Sequence, residues 1–227
     1  MPRLEIACFS PSSALLAASA GADRIELCAN QHLGGTTPPP LWLPHIKATV
    51  QTIPIFVMIR PRGGDFCYSN VEFEEMKAQI REFETLGADG FVFGMLKEDG
   101  RGIDVERTAE LVRHASPKPC TFHRAFDEVA DLMKGLENVV LTGCRAILSS
   151  GGRASAEEGV EGLRELVEKA DGRVTVIAGG GVRSGNIESI KKVGGVRYLH
   201  SSAIVGVDSD SVNGEEVKKM KSLLQTS

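Results

Sequence analysis

The sequence predicts a single (β/α)8 barrel of the TIM class, with eight parallel strands in one domain over residues 1–227. Eight short, near-continuously apolar runs alternate with longer amphipathic segments, as parallel strands covered by helices should. A glycine-led motif recurs ahead of every even-numbered run, as "GADRIEL" at 21, "GADGFVF" at 87, "GCRAILS" at 143 and "GVRYLHS" at 195, which divides the chain into four βαβα quarters. The G-x-G-x-x-G turn of an open doubly wound sheet is missing, because "GGGVRSG" has another spacing and follows the seventh run.

The elements follow in order. "LEIACF" is the first strand and "RIELC" the second, the latter preceded by Gly21 at a helix end. Pro54 opens the third, "IFVMI", which ends at Arg60, and residues 61 to 70 form a rim loop. In "VEFEEMKAQIREFETLG", Phe73, Met76, Ile80, Phe83 and Leu86 recur at steps of three or four and predict a helix. "GFVFG" is the fourth strand, "CTFH", opened by Pro119, the fifth, "AILSS" the sixth, "VTVIAG" the seventh and "YLHSS" the eighth. "GEEVKKMKSLL" reads as a last helix with Val217, Met220, Leu223 and Leu224 on one side, and the crossovers between strands should be right-handed.

Composition narrows the function. The chain is 42% hydrophobic and 25% charged, as globular soluble proteins are. A net charge of -4 without any Lys/Arg run gives no support to a nucleic-acid or anionic-membrane partner. No stretch approaches the roughly 18 apolar residues of a membrane span. The start "MPRLEIACF" lacks the pattern of a secretory signal, so a cytoplasmic location is expected. Cys8, Cys28, Cys67, Cys120 and Cys144 are odd in number and include no C-x-x-C pair, which favours reduced thiols over disulfides or structural zinc.

Barrel chemistry sits on the loops after the strands' C-terminal ends. Extending the repeat places Glu26, Val92, Leu148 and His200 at equivalent inward positions. Charges at the barrel mouth need partners. Glu26, Arg60, His123 and His200 are expected to pair with one another, with Glu5, Arg62, Asp65, Arg124 and Asp127 extending the group. The bland alternative is an ion-pair network that closes the mouth, but the convergence of the whole set on one end favours a binding site. Glu26, Arg60, His123 and Asp127 form the candidate catalytic set, with Glu26 and His123 as general base and acid and the Arg60 and Arg62 forks holding a carboxylate or phosphate. Arg124 belongs with them. Gly179, Gly180 and Gly181 after strand seven, and His200, Ser201 and Ser202 at the end of strand eight, lie where many barrels bind phosphate on backbone N–H groups. The competing reading of the glycines is a tight turn into helix seven with Ser184 as its N-cap. A third possibility is a scaffold that acts through subunit contacts.

The motifs "GADRIELC", "GGTTP", "MIRPRGGDFCYS", "GADGFVFG", "TFHRAFD", "GGGV" and "HSSA", in that order over residues 4 to 203, resemble the series of the CutC copper homeostasis proteins. The resemblance implies the barrel, a cytoplasmic homo-oligomer and a link to copper, without a defined reaction. It also implies Cu(I) held by cysteines at the ends of strands one and two, which here are Cys8 and Cys28, and soft thiolates suit that ion. Cys28 matches directly. Strand one departs: where many members read Glu-Val-Cys, this chain has Glu5-Ile6-Ala7-Cys8. Side chains alternate along a strand, so if Glu5 faces inward Ala7 does too, and Cys8 points toward the helices. The partner is therefore a copper ion or a small anionic molecule.

Overall fold

The structure, a computed structural model, describes residues 1–193, 195–206 and 210–225. Its strands are β1 (Arg3–Cys8), β2 (Arg24–Leu27), β3 (Ile55–Met58), β4 (Gly90–Phe93), β5 (Cys120–Phe122), β6 (Ala146–Ser149), β7 (Thr175–Gly179) and β8 (Tyr198–Ser201). They pair in parallel in sequence order, and β8 closes onto β1. All eight apolar runs are strands of one closed (β/α)8 barrel. The helices among the described residues are α1 (Pro11–Ser19), α2 (Trp42–Lys47), α3 (Asn70–Thr85), α4 (Val105–Ala115), α5 (Leu132–Thr142), α6 (Val160–Ala170), α7 (Ile187–Lys191) and α8 (Gly214–Gln225).

The continuous hydrophobicity of the strands reflects burial on both faces. Outward residues such as Leu4, Ile6, Ile25 and Leu27 join the helices in the main core. Inward residues form separate clusters, with Cys28, Phe56, Met58 and Val92 on one side and Ala146, Leu148 and Ile177 on another. The four glycines that open the repeat, Gly21, Gly87, Gly143 and Gly195, all have φ between 85° and 102°, a left-handed conformation at the end of a helix that other residues adopt at a cost.

The rim helix begins slightly earlier than its apolar period suggests. Ser69 caps α3 in a reciprocal capping box with Glu72, so Asn70 is its first residue rather than the end of the loop. Phe73, Met76, Ile80 and Phe83 are buried as expected, and Leu86 is the C-cap. On α8, Val217, Met220 and Leu224 are buried and Leu223 partly so, in a helix that contacts α1, α7 and β1. That stripe is barrel packing.

Ser184 does not cap helix seven. Asn186 occupies the N-cap of the short α7, while Ser184 donates its N–H and its hydroxyl to Glu216 at 2.6 and 2.9 Å. The loop after β7 is thereby tied to α8.

Candidate functional site

The inner layer near the mouth is built by register. Glu5 on β1 lies beside Arg24 on β2 and His200 on β8, and Ala7 lies beside Glu26. A chain of polar contacts follows. Arg24 Nε donates to Glu5 Oε2, His200 Nδ1 is 2.7 Å from Glu5 Oε1, and His200 Nε2 is 3.8 Å from Glu26 Oε2. Cys28 Sγ donates to the same Glu26 oxygen at 3.4 Å. The Arg24 guanidinium sits 4.4 Å from the Phe56 ring centre and 3.9 Å from that of Tyr198, so its cation also faces two π clouds.

Burial alone would raise the Glu5 carboxyl, but Arg24 and His200 outweigh it and hold it at about 2. Glu26 is pushed the other way, chiefly by burial, which His200 opposes and Glu5 reinforces. Burial works against the charged His200 imidazole, yet Glu26 and Glu5 overcome it and raise its pKa. The Cys28 thiol is held well above its ordinary value by burial and by Glu26, so it rests protonated against that carboxylate.

Glu26, Cys28 and His200 lie on the wall of a cavity of about 230 Å³ at the C-terminal mouth. Arg60, His123, Arg124, Arg183, Gly180, Gly181, Ser201 and Ser202 line it as well. The structure thus brings together most of the expected group, but not with the expected pairing.

Arg60 touches none of Glu26, His123 or His200 in an ion pair or hydrogen bond. Its Nη1 donates to the carbonyls of Leu33 and Gly35 at 2.8 and 3.0 Å, its Nη2 to that of Gly64 at 2.8 Å, and its guanidinium lies 4.6 Å from the Phe66 ring centre. The arginine clamps the loops after β2 and β3 together. His123 stacks on Phe66 with ring centres 4.8 Å apart, and its Nδ1 accepts the Ala125 N–H. Burial and the Arg60 charge pull its pKa down to about 3. His123 is therefore neutral, with its proton on Nε2, and is a hydrogen-bond donor rather than a base at neutral pH. Glu26 and His200, each with a raised pKa, are the other carboxyl and imidazole on the cavity wall.

Arg62 and Asp65 do not reach the cavity. Arg62 donates to Asp65 at 2.9 Å, to Glu72 at 2.5 Å and to the Cys67 carbonyl, which fastens the rim loop to the start of α3. Asp127 is also outside the lining. It accepts Arg124 Nε, the Ser149 hydroxyl and the N–H groups of Ser150 and Gly152, so its oxygens organise the loop after β6. Gly179 ends β7 beneath the cavity, where a Cβ would lie 2.6 Å from Leu148.

Arg183 and Arg24 were not among the candidate residues. Arg183 follows the triple glycine and donates to Ser201 Oγ at 3.0 Å, Ser202 Oγ at 2.9 Å and the carbonyls of Val182 and Ile204. Burial lowers its pKa, and the nearby Glu216 opposes that. The sequence signal for Arg24 was its position two residues before Glu26, which puts both on one face of β2.

The strand phase read from Glu5 holds. Ala7 lines the cavity, whereas Cys8 packs in the outer core and its Sγ donates to the Ile6 carbonyl at 3.5 Å. The two thiols implied by the resemblance lie on opposite faces of the barrel wall. Soft donors on the cavity wall are instead Cys28 and Met58. Glu5, Glu26 and His200 place one ligand atom each within 4.8 Å of one another, an oxygen-rich set that suits a divalent ion better than Cu(I).

Comparison with known proteins agrees with the motifs. A profile described as the CutC family matches residues 2–205. The human protein named copper homeostasis protein cutC homolog is 48% identical over 200 residues, covering 88% of this chain and 72% of its own length. A family protein CutC from Chromobacterium violaceum is 44% identical over 200 residues, covering 88% and 80%. The crystal structure of a CutC protein from Streptococcus agalactiae superposes with a TM-score of 0.83 at 31% identity, covering 89% of this chain and 99% of that one. A thiamine phosphate pyrophosphorylase from Pyrococcus furiosus, at 16% identity and a TM-score of 0.65, shares the fold. With the family profile spanning most of its length and relatives at this identity, the chain belongs to the CutC family of copper homeostasis proteins.

Proposed function

We propose that the protein takes part in copper handling by accepting one Cu(I) ion at Cys28 in the mouth cavity. The observation that carries this reading is the placement of the Cys28 thiol on the cavity wall, hydrogen-bonded to Glu26. Cu(I) binds the thiolate, not the thiol. As the ion arrives, the proton on Cys28 moves to the Glu26 carboxylate 3.4 Å away, whose own pKa is already raised by burial. One positive charge enters and one is retained as a neutral acid, so the buried site gains no more than the charge of the ion. Met58, in the same inner cluster, supplies a thioether as second soft donor. Cys8 has no part in the site, because it faces the helices. The five unpaired cysteines suit a reducing compartment, which supports a cytoplasmic setting.

A competition titration against a Cu(I) chelator under reducing conditions tests the reading. One equivalent is expected to bind, Cys28→Ser to abolish binding, Met58→Leu to weaken it about tenfold or more, and Cys8→Ser to leave it unchanged. Ala7→Cys, which adds a thiol to the cavity wall, should tighten it. Parent-like affinity in Cys28→Ser overturns the site.

A further inference from the structure

Most charges around the mouth are compensated within the protein. Arg24 and His200 meet Glu5 and Glu26, and Arg124 meets Asp127. Two guanidiniums have no carboxylate in contact. Arg60, 4% exposed, donates only to carbonyls, and Arg183 only to hydroxyls and carbonyls; neither forms an ion pair among the described residues. They belong to opposite sides of the barrel, Arg60 after β3 and Arg183 after β7. Arg60 is buried and Arg183 half-buried with Glu216 nearby but not bonded to it, so the cavity presents two guanidiniums with no carboxylate in contact, which suits an anion from outside.

The loop after β7 supplies the complementary donors. Gly180 and Gly181 hold φ of +106° and +71°, and neither N–H finds an acceptor among the described residues. A Cβ on Gly180 would lie 3.1 Å from Arg124 Nη1, so the missing side chain lets a guanidinium pack directly against the glycine. That nitrogen has no acceptor of its own, since Arg124 uses Nε and Nη2 on Asp127 and Ser150.

Two further polar atoms in the cavity's lining residues are buried and without a partner: Glu26 Oε1 and His123 Nε2. Buried polar groups are normally satisfied, and an acceptor and a donor left open in one cavity call for a ligand with hydroxyl or carbonyl groups. At about 230 Å³ the cavity is smaller than sites for drug-sized molecules, and Phe9, Met58, Phe66 and Leu148 give it an apolar wall.

We infer that the mouth cavity binds a small phosphomonoester, its dianionic phosphate held by Arg183, Arg124 and the N–H groups of Gly180 and Gly181, and its hydroxyl or carbonyl groups reaching Glu26 and His123. The site shares the cavity and Glu26 with the copper reading but uses none of the soft-donor chemistry of Cys28.

Glycerol phosphate, inorganic phosphate and glycerol are the probes. At one hundred times its dissociation constant, glycerol phosphate should raise the thermal midpoint by about 5 to 10 °C. Inorganic phosphate should bind more weakly and glycerol not at all. Arg183→Gln and Arg124→Gln should each lose tenfold or more in affinity, while Arg62→Gln, on the rim, should bind like the parent. In amide NMR of the parent protein, Gly180 and Gly181 should shift on saturation, a readout that holds even if a variant fails to fold. No saturable binding, parent-like binding by both arginine variants, or invariant glycine amides overturns the proposal. Equal affinity for inorganic phosphate and glycerol phosphate overturns its organic half.

Discussion

Replacing Glu5 by Gln should cost the fold about 3 kcal/mol, because this carboxylate is the shared partner of Arg24 and His200 in the barrel interior. Two independent routes give that size. The carboxyl is held at about 2 against an ordinary 4.5, and at about 1.36 kcal/mol per pH unit the gap is worth about 3 kcal/mol. Removing one partner of a buried pair costs about 3–5 kcal/mol by mutational experience. After the substitution Arg24, 6% exposed and with its Nη2 already lacking a partner, is left between Phe56 and Tyr198 with no carboxylate in contact. In a chain of this length the thermal midpoint should fall by roughly 10 °C at neutral pH. The pH dependence has a definite sign. The folded-state pKa lies below the unfolded one, so the stabilisation is present above about 4.5 and is lost as pH falls toward 2. Thermal unfolding followed by circular dichroism from neutral pH down to about 3 should therefore show the gap between parent and Glu5→Gln narrowing below about 4.5. A variant within about 2 °C of the parent at neutral pH, or a gap that stays constant into acid, refutes the reasoning.

Three other outcomes are expected. Ser69→Ala removes the capping box of α3 and should lower stability by about 1 kcal/mol in urea unfolding. Gly159→Ala places a Cβ 1.7 Å from the Ser150 carbonyl oxygen, a backbone clash that should cost about 4 kcal/mol or leave the protein insoluble, whereas Gly172→Ala, which meets nothing within 4 Å, should cost about 1 kcal/mol for its left-handed backbone alone. Iodoacetamide on the folded protein should give a single adduct, at Cys67 and slowly, because that thiol alone among the five is not buried and its pKa is raised by partial burial and Asp65; mass spectrometry showing early modification of Cys28 would contradict the burial and raised pKa of that thiol.

The barrel was legible because each level of the sequence agreed with the next. Apolar runs buried on both faces, helix-ending glycines at φ near 90° and amphipathic periods such as Phe73 to Phe83 all specify the same alternation. Strand phase could be read as well, since side-chain alternation from Glu5 correctly separated Ala7 from Cys8. Ser184 went astray for a physical reason. A serine near a helix start is a cap only when no better donor or acceptor competes, and Glu216 from a distant helix takes both of its groups.

The polar layer was legible by position but not by pairing. Glu5, Glu26 and His200 fall inward by period, and the same count places Arg24 there, though its place in an apolar run hid it. Arg60 shows what a residue count omits: a guanidinium can be held by backbone carbonyls, here those of Leu33, Gly35 and Gly64, and no sequence pattern announces which carbonyls a loop will present. Arg183 sits in a loop, where periodicity assigns no direction to a side chain. The chain's net charge of -4 is summed over the whole molecule, while β1, β2 and β8 neutralise one another inside and the loops after β3 and β7 each present a guanidinium with no carboxylate in contact. The sign of the mouth is thus opposite to that of the whole molecule. That local excess sets the cavity's demand for an anion, and the neutral His123 and unpartnered Glu26 oxygen beside it set its demand for a hydroxyl or carbonyl, both independently of the sulfur chemistry at Cys28.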